Sequence, residues 1–401
     1  MIFDRKKGIM PTDLVCLSHL RWGFVYQRPQ HLLSRFAKDQ RVFFIEEPVT
    51  ATGAPRMEVN KCSESGVYIC VPQMPDGLGR ASQDTILKLL LNNLLAEWQI
   101  KDYLLWYYTP MALSFSAHLR PRMTIFDCMD ELSAFKDAPQ EMKDREAELL
   151  RRADLVFTGG QSLFEAKFGR HHDLHVFPSS IEFGHFAQAR THRGEPADQA
   201  HIARPRIGFC GVIDERMDIQ LLAEMAKLRP DYQFIMVGPV VKIEPADLPR
   251  HPNIHYLGGK SYKELPSYMA GWDAAMLPFA HNDSTRFISP TKTPEYLAAG
   301  KPVVSTSITD VVRPYGVQRM VRIADNAEDF IREIELALVR DANDADWKER
   351  VDNALAQNSW DLTYTRMRDL IESRIGSKTF EPAHSSIPSL ATSLSVNALG
   401  D

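Results

Sequence analysis

Between Thr285 and Thr306 the chain reads TRFISPTKTPEYLAAGKPVVST. Two cations, Arg286 and Lys292, alternate with hydroxyls at Ser289, Thr291 and Thr293, and Glu295 follows one residue after Pro294. Cations and hydroxyls suit phosphate oxygens, and a carboxylate can accept the paired hydroxyls of a ribose. The pattern predicts a polar loop, then a short helix closed by Gly300, then a buried strand opened by Pro302-Val303-Val304. A helix N-terminus adds unpaired N–H groups and a positive dipole end, both favourable to phosphate. Breaking a phosphate–sugar bond leaves negative charge on the phosphate, and Lys292 and Arg286 can carry that charge in place of a metal.

Other candidate groups follow strand-like runs. Gly211 ends one run and permits close backbone approach; Arg216 is the cation of the loop after it, and Gly238 closes the next run. In the first half, the loop His19–His31 offers Trp22 and Tyr26 for stacking on a sugar ring. The same loop offers Arg28, Gln30 and His31 as hydrogen-bonding groups for hydroxyls or phosphate. Asp127-Cys128-Met129-Asp130-Glu131 also follows a strand, where a carboxylate can orient an attacking hydroxyl or take its proton. Structural alternatives stand beside these readings: a packed plug for Trp22, and an N-cap for Asp130. No third ligand accompanies the acidic pair, so no metal site is expected. Gly259-Lys260-Ser261 looks like the end of a phosphate loop, but Ile254 stands where that loop needs glycine, so that reading fails. No G-x-G-x-x-G fingerprint occurs.

These residues need two scaffolds to position them. At 401 residues the chain suits two domains. Its 44% hydrophobic and 25% charged residues are ordinary for a globular protein. The net charge of −5 argues against nucleic acid as the main partner. Cysteines number five, widely spaced, with no C-x-x-C pair, as expected of reduced thiols in a cytoplasmic chain. No run reaches the ~18 apolar residues of a membrane span. Short β-rich runs alternate with amphipathic helical runs, the signature of an α/β fold. Strands are expected at Leu14–Ser18, Val42–Glu46, Tyr103–Tyr108, Thr124–Asp127, Leu155–Thr158 and Leu174–Phe177. A second set begins at Ile207–Cys210 and runs through Gln233–Gly238, Ile254–Leu257 and Ala274–Pro278. Residues 49–80 read as irregular. A helix near Thr85–Trp98 carries a leucine stripe suited to core packing, with a membrane-surface role as the alternative. The polar run 187–204 reads as an interdomain linker, Trp360–Ser373 as the last helix, and 376–401 as a disordered tail.

The segment 285–306 resembles the donor-binding segment of GT-B glycosyltransferases, in particular the retaining group called group 1 or family four. Phe177-Pro178-Ser179-Ser180-Ile181-Glu182 to Phe186 is similar to that group's linker motif, and Asn253–Gly258 and Ala274–Phe279 are similar to its next two strands. The runs Trp22–Glu47 and Asp127–Phe135 resemble a bacterial subgroup tied to cell-envelope polysaccharide, including teichuronic-acid-like glycosyltransferases. The resemblance spans roughly residues 13–375. It implies two Rossmann-like domains with parallel sheets facing across a cleft. The N-terminal domain, 1–186, would bind the acceptor; 205–358 would bind the donor; 359–375 would be a helix crossing back.

The implied activity is transfer of a sugar from a UDP- or GDP-linked donor to a glycan or lipid-linked acceptor, retaining and without a metal or other cofactor. The implied location is the cytoplasm, at or near the inner membrane face. Donor ligands by this resemblance are Gly211, Arg216, Gly238, Arg286, Ser289, Thr291, Lys292 and Glu295. Acceptor ligands are Trp22, Tyr26, Arg28 and Gln30, and the catalytic candidates are His31, Asp127, Asp130 and Lys292. Glu295 matches the second glutamate of the group's E-x7-E motif, but the first falls at Phe287. That departure, with the thin basic loop at 212–217, leaves a non-catalytic subunit as the alternative; an epimerase is a further one.

Overall fold

A computed structural model describes residues 10–136, 138–192 and 194–377. The first unit is a nine-stranded sheet. Its strands are β1 (Asp13–Leu17), β2 (Arg41–Ile45), β3 (Val49–Thr50), β4 (Arg56–Lys61), β5 (Tyr68–Met74), β6 (Tyr103–Tyr107), β7 (Met123–Cys128), β8 (Leu155–Thr158) and β9 (Leu174–Val176). They run in the order β3-β5-β2-β1-β6-β7-β8-β9, with β4 antiparallel on β5 and every other pairing parallel. The second unit is a parallel sheet of six strands: β10 (Arg206–Cys210), β11 (Gln233–Val237), β12 (Ile254–Gly258), β13 (Ala274–Leu277), β14 (Val303–Ser305) and β15 (Val321–Ile323), ordered β12-β11-β10-β13-β14-β15.

Parallel sheets are covered on both faces, so their strands are apolar throughout. In β1, Leu14 and Cys16 enter one core cluster while Val15 and Leu17 enter the other, following the period-two alternation of a strand. In β10, Ile207 and Phe209 face one cluster and Cys210 the opposite one. The helices that cover these faces and bear on the cleft are α1 (Arg28–Phe36), α2 (Arg80–Glu97), α3 (Glu141–Arg152), α4 (Gln161–Lys167), α5 (Ile219–Leu228), α6 (Lys292–Ala298), α7 (Ala327–Val339), α8 (Ala345–Leu355) and α9 (Trp360–Ser377). In α2 the leucine stripe (Leu87, Leu90, Leu91, Leu94) is buried.

Three sequence expectations change. Residues 49–80 hold β3, the β4–β5 hairpin and the start of α2. The hairpin was illegible because β4 exposes polar Glu58, Asn60 and Lys61, and β5 contains Pro72. Residues 187–204 are not a free linker. Phe186, Ala189 and Ile202 lie in a core cluster of the second unit, and the polar side chains between them bond to its backbone. Arg190 donates to the Ala298 carbonyl at 2.7 Å, and Gln199 donates to the Tyr268 carbonyl at 3.0 Å while accepting from Trp272 Nε1 at 3.0 Å. The chain crosses between units earlier, at Pro178–Ile181: Phe177 belongs to a core cluster of the first unit and Ile181 to one of the second. It returns alongside, the Ile181 amide donating to the Asn358 carbonyl at 3.1 Å, and α9 then buries Trp360, Met367, Ile371 and Ile375 against the first unit. The tail expectation falls outside the described residues apart from Gly376 and Ser377, which end α9.

The two units touch along their facing edges. The Asp310 carboxylate accepts from the Ser162 amide at 2.9 Å, capping α4 from across the gap. Gly160 is required there: a Cβ would sit 2.1 Å from Asp310 Oδ2. The Ser179 hydroxyl donates to the Ser289 carbonyl at 3.2 Å.

Candidate active site

The site is the cleft between the carboxyl ends of the two sheets, where open parallel sheets bind ligands. On the second unit's wall, α6 is seven residues long, and the Thr293 amide is already used by the Pro290 carbonyl at 3.2 Å. Its side chains therefore matter more than its dipole. Lys292 Nζ lies 2.6 Å from Glu295 Oε2 in a largely buried pair. Burial pushes the Glu295 carboxyl up, opposed by Lys292; burial also opposes the charge on Lys292, but Glu295 outweighs it and holds the ammonium. A ligand phosphate competing for Lys292 would free Glu295 for ribose hydroxyls.

Behind this pair the backbones of β10 and β11 converge. Gly238 has φ of +151°, and a Cβ there would lie 1.7 Å from the Gly211 carbonyl oxygen. Only glycine fits at Gly238. The loop after β10 is pinned by its own carboxylate. Arg216 makes a two-pronged contact to Asp214, Nε at 2.9 and 3.1 Å and Nη2 at 2.7 Å. The Arg216 guanidinium also lies 5.7 Å from the Phe135 ring of the opposite wall.

Two residues that sequence reasoning left out of the site stand here. Lys242, with φ of +62°, places Nζ 4.9 Å from the same Phe135 ring. Its only sequence signal was a cation in the loop after the strand that Gly238 terminates. His19 is the second. Burial, with Lys242 adding to it and the Tyr108 backbone opposing, pushes its imidazole down to about 4, so it is neutral near pH 7. Its Nδ1 is buried without a partner among the described residues.

The other members of the predicted donor set lie in the segment that leads into α6. Arg286 is exposed and lies 5.1 Å over Phe287, and Phe287 itself packs on a core cluster of the first unit. Ser289 sits at the junction with Gly160 and Ser179. Thr291 immediately precedes α6, partly exposed, and Thr293 is fully buried with no partner for its hydroxyl among the described residues.

The first unit's wall requires corrections. Asp127 is fully buried and holds Arg28 through contacts of 2.8 to 3.1 Å, while Arg28 Nη1 donates to the Phe177 carbonyl at 2.7 Å. All of this hydrogen-bonding capacity is directed inward, so neither residue is placed as base or acceptor ligand. Gln30 is equally committed: its Nε2 donates to the Trp22 carbonyl at 2.7 Å and its Oε1 accepts from the Gln27 amide at 3.1 Å. Trp22 packs edge-on against Phe44, 5.1 Å between centroids, which is the plug reading.

Tyr26 and His31 lie at the crossing between units, with His31 within electrostatic reach of Lys292. Tyr26 stacks on Tyr262 at 4.5 Å, His31 lies flat on Trp360 at 4.6 Å, and Tyr262 stacks on His185 at 4.4 Å. Tyr262 donates to Glu182 at 3.0 Å, and burial pushes His31 down, which favours its neutral form. Lys260 turns away from the cleft to pair with Asp198 at 2.6 Å. Asp130 is the carboxylate that remains in the cleft. Burial first, then Asp214 and Asp127, raise it, with Arg216 and Arg28 opposing.

Two parallel α/β units facing across such a cleft define the GT-B fold. The same architecture covers a sucrose-phosphate synthase from Thermosynechococcus elongatus: 92% of this chain and 100% of that one, TM-score 0.68, 15% identity. It also covers an α,α-trehalose-phosphate synthase (UDP-forming) from Burkholderia xenovorans in complex with glucose-6-phosphate: 90% of this chain and 100% of that one, TM-score 0.63, 12% identity. Residues 204–340, the wall that carries Lys292 and Glu295, match the family of glycosyl transferases group 1. The chain is 27% identical over 289 residues to TuaH of Bacillus subtilis (strain 168), named as an inferred glycosyltransferase of teichuronic acid biosynthesis; the match covers 66% of this chain and 70% of that one. The protein is a glycosyltransferase of GT-B fold that resembles those of the cell envelope.

Proposed function

We propose that the protein moves a sugar from a UDP- or GDP-linked donor to a hydroxyl of an envelope polysaccharide or lipid-linked glycan, with retention and without a metal. The observation that carries the donor assignment is the buried Lys292–Glu295 pair, at 2.6 Å, on the wall with the converging Gly211 and Gly238 backbones. Glu295 takes the ribose hydroxyls; Lys292, Arg216 and Lys242 carry the charge that builds on the leaving phosphate. The C1–O bond to phosphate breaks as the acceptor oxygen bonds to C1, and the acceptor proton passes to the leaving phosphate oxygen. That route suits a cleft in which Asp127 is locked to Arg28. Asp130 orients the acceptor hydroxyl. Closure of the units excludes water and limits hydrolysis.

One observation favours a second reading, a non-catalytic subunit: Phe287, where the resembled group has a glutamate near the donor sugar, packs into the first unit. Incubation of the pure protein with labelled UDP- and GDP-sugars, envelope glycan fractions and a chelator decides between them. Transfer that survives the chelator supports the proposal; nucleotide binding with no transfer to any glycan supports the second reading.

A further inference from the structure

Of the predicted acceptor ligands, Arg28 and Gln30 turn inward, Trp22 packs on Phe44 and Tyr26 stacks on Tyr262, yet the first unit does hold a cavity. It lies at the carboxyl ends of β1, β2 and β6 beside the start of α2, and its volume is about 250 Å³. That is below the roughly 300–1,000 Å³ of sites for drug-sized ligands, and it suits one sugar ring. Leu87, Met111 and Phe115 give it an apolar wall, and Ser18 and Thr109 line its inner end. These two directly adjoin His19 and Tyr108 in the chain, and His19 is within electrostatic reach of Lys242 on the opposite wall. The chain at one end of the cavity thus leads directly to His19, which senses Lys242 of the wall where donor phosphate is proposed.

Its charges select the occupant. Glu46, Glu47 and Asp84 line it, with Arg80 as the cation among its lining residues. Arg80 pairs with Glu141 at 2.7 Å, and Glu46 is held by Arg21 at 3.1 Å and by the Trp22 amide at 2.8 Å. Asp84 Oδ1 accepts from the Ser114 hydroxyl at 2.7 Å, and Glu47 receives no side-chain hydrogen bond from a described residue. Two carboxylates are therefore available as acceptors, and no uncommitted cation lines the wall. Sugar hydroxyls can donate to such carboxylates; a phosphate or uronate would meet Glu46, Glu47 and Asp84, while the nearby cations Arg21 and Arg80 are already paired with Glu46 and Glu141.

We propose that this cavity holds an uncharged sugar ring of the acceptor, its apolar face on Phe115 and Leu87 and its hydroxyls on Glu47 and Asp84. This rests on the glycosyltransferase reading, and it places the acceptor's anionic groups, where it has any, outside the cavity.

The test is saturation-transfer NMR on the full chain. The probes are methyl β-D-glucopyranoside, methyl N-acetyl-β-D-glucosaminide, glucose 6-phosphate and glucuronic acid, with UDP and GDP binding measured alongside. A neutral glycoside is expected to give signal and the two anions none. Glu47→Gln and Asp84→Asn should each weaken that signal at least fivefold with nucleotide binding unchanged, and Glu47→Lys should admit glucose 6-phosphate. Equal or better signal from the anions, neutral binding that ignores all three substitutions, or no signal from any probe overturns the proposal. Loss of nucleotide binding by the native chain would instead strike the donor reading.

Discussion

The two walls of the cleft show their chemistry differently. On the second unit's wall, the groups proposed to meet the donor lie in short stretches of sequence: Lys292 and Glu295 are three apart on α6, and Gly211 and Gly238 end neighbouring strands. On the first unit's wall, the residues with the most chemistry in their side chains are the frame. Arg28 and Asp127, 99 residues apart, form a buried pair beneath the cleft floor, and Gln30 fastens the Trp22 loop. The cavity beside them is lined by residues that carry no motif. Charge at the end of a strand or the start of a helix is thus not by itself evidence of a site.

Substitutions can break or sharpen this contrast. Arg28→Ala should cost ~3–5 kcal/mol of stability by leaving Asp127 charged and buried without its partner, read as a lower urea midpoint. If Arg28→Ala folds normally and loses only acceptor affinity, the first wall's frame assignment fails. The next effect is a pH dependence confined to the cleft's first wall. His19 binds its proton less tightly folded than unfolded, from an ordinary value of 6.5 down to about 4. Its contribution to stability is therefore complete above pH 6.5 and is lost as pH falls toward 4, by up to ~3 kcal/mol. His19→Asn should flatten that part of the stability profile; an unchanged profile contradicts the buried neutral imidazole. Lys242→Ala should weaken nucleotide binding by ~1.5–2 kcal/mol and reduce its salt dependence, as expected for loss of one charged contact to phosphate. Affinity independent of Lys242 would remove it from the donor wall. At the rim, Arg313→Ala removes an exposed pair with Glu165 at 2.7 Å and should leave the thermal midpoint nearly unchanged.

Much of the architecture was legible because parallel strands buried on both faces are continuously apolar, and LVCL, VFFI, LLWY and AAML stand out as such. The β4–β5 hairpin was hidden by its exposed polar face and by Pro72. The run 187–204 reads as a linker because its polarity suggests solvation, whereas Arg190 and Gln199 spend their donors on buried carbonyls. The pairing of Lys292 with Glu295 was legible because their spacing alone brings them together. Lys242, His19 and the carboxylates Glu47 and Asp84 meet the cleft only through tertiary placement, and no local pattern reveals that.

The most direct test of the central claim is calorimetric titration of UDP, GDP, ADP and dTDP into the native chain, Lys292→Ala and Glu295→Ala. The account predicts that one of these nucleotides binds and that each substitution weakens it at least tenfold, with Glu295→Ala showing the larger loss for ribose-bearing ligands than for pyrophosphate alone. Binding that is unchanged by both substitutions, or absent for all four nucleotides, would contradict it.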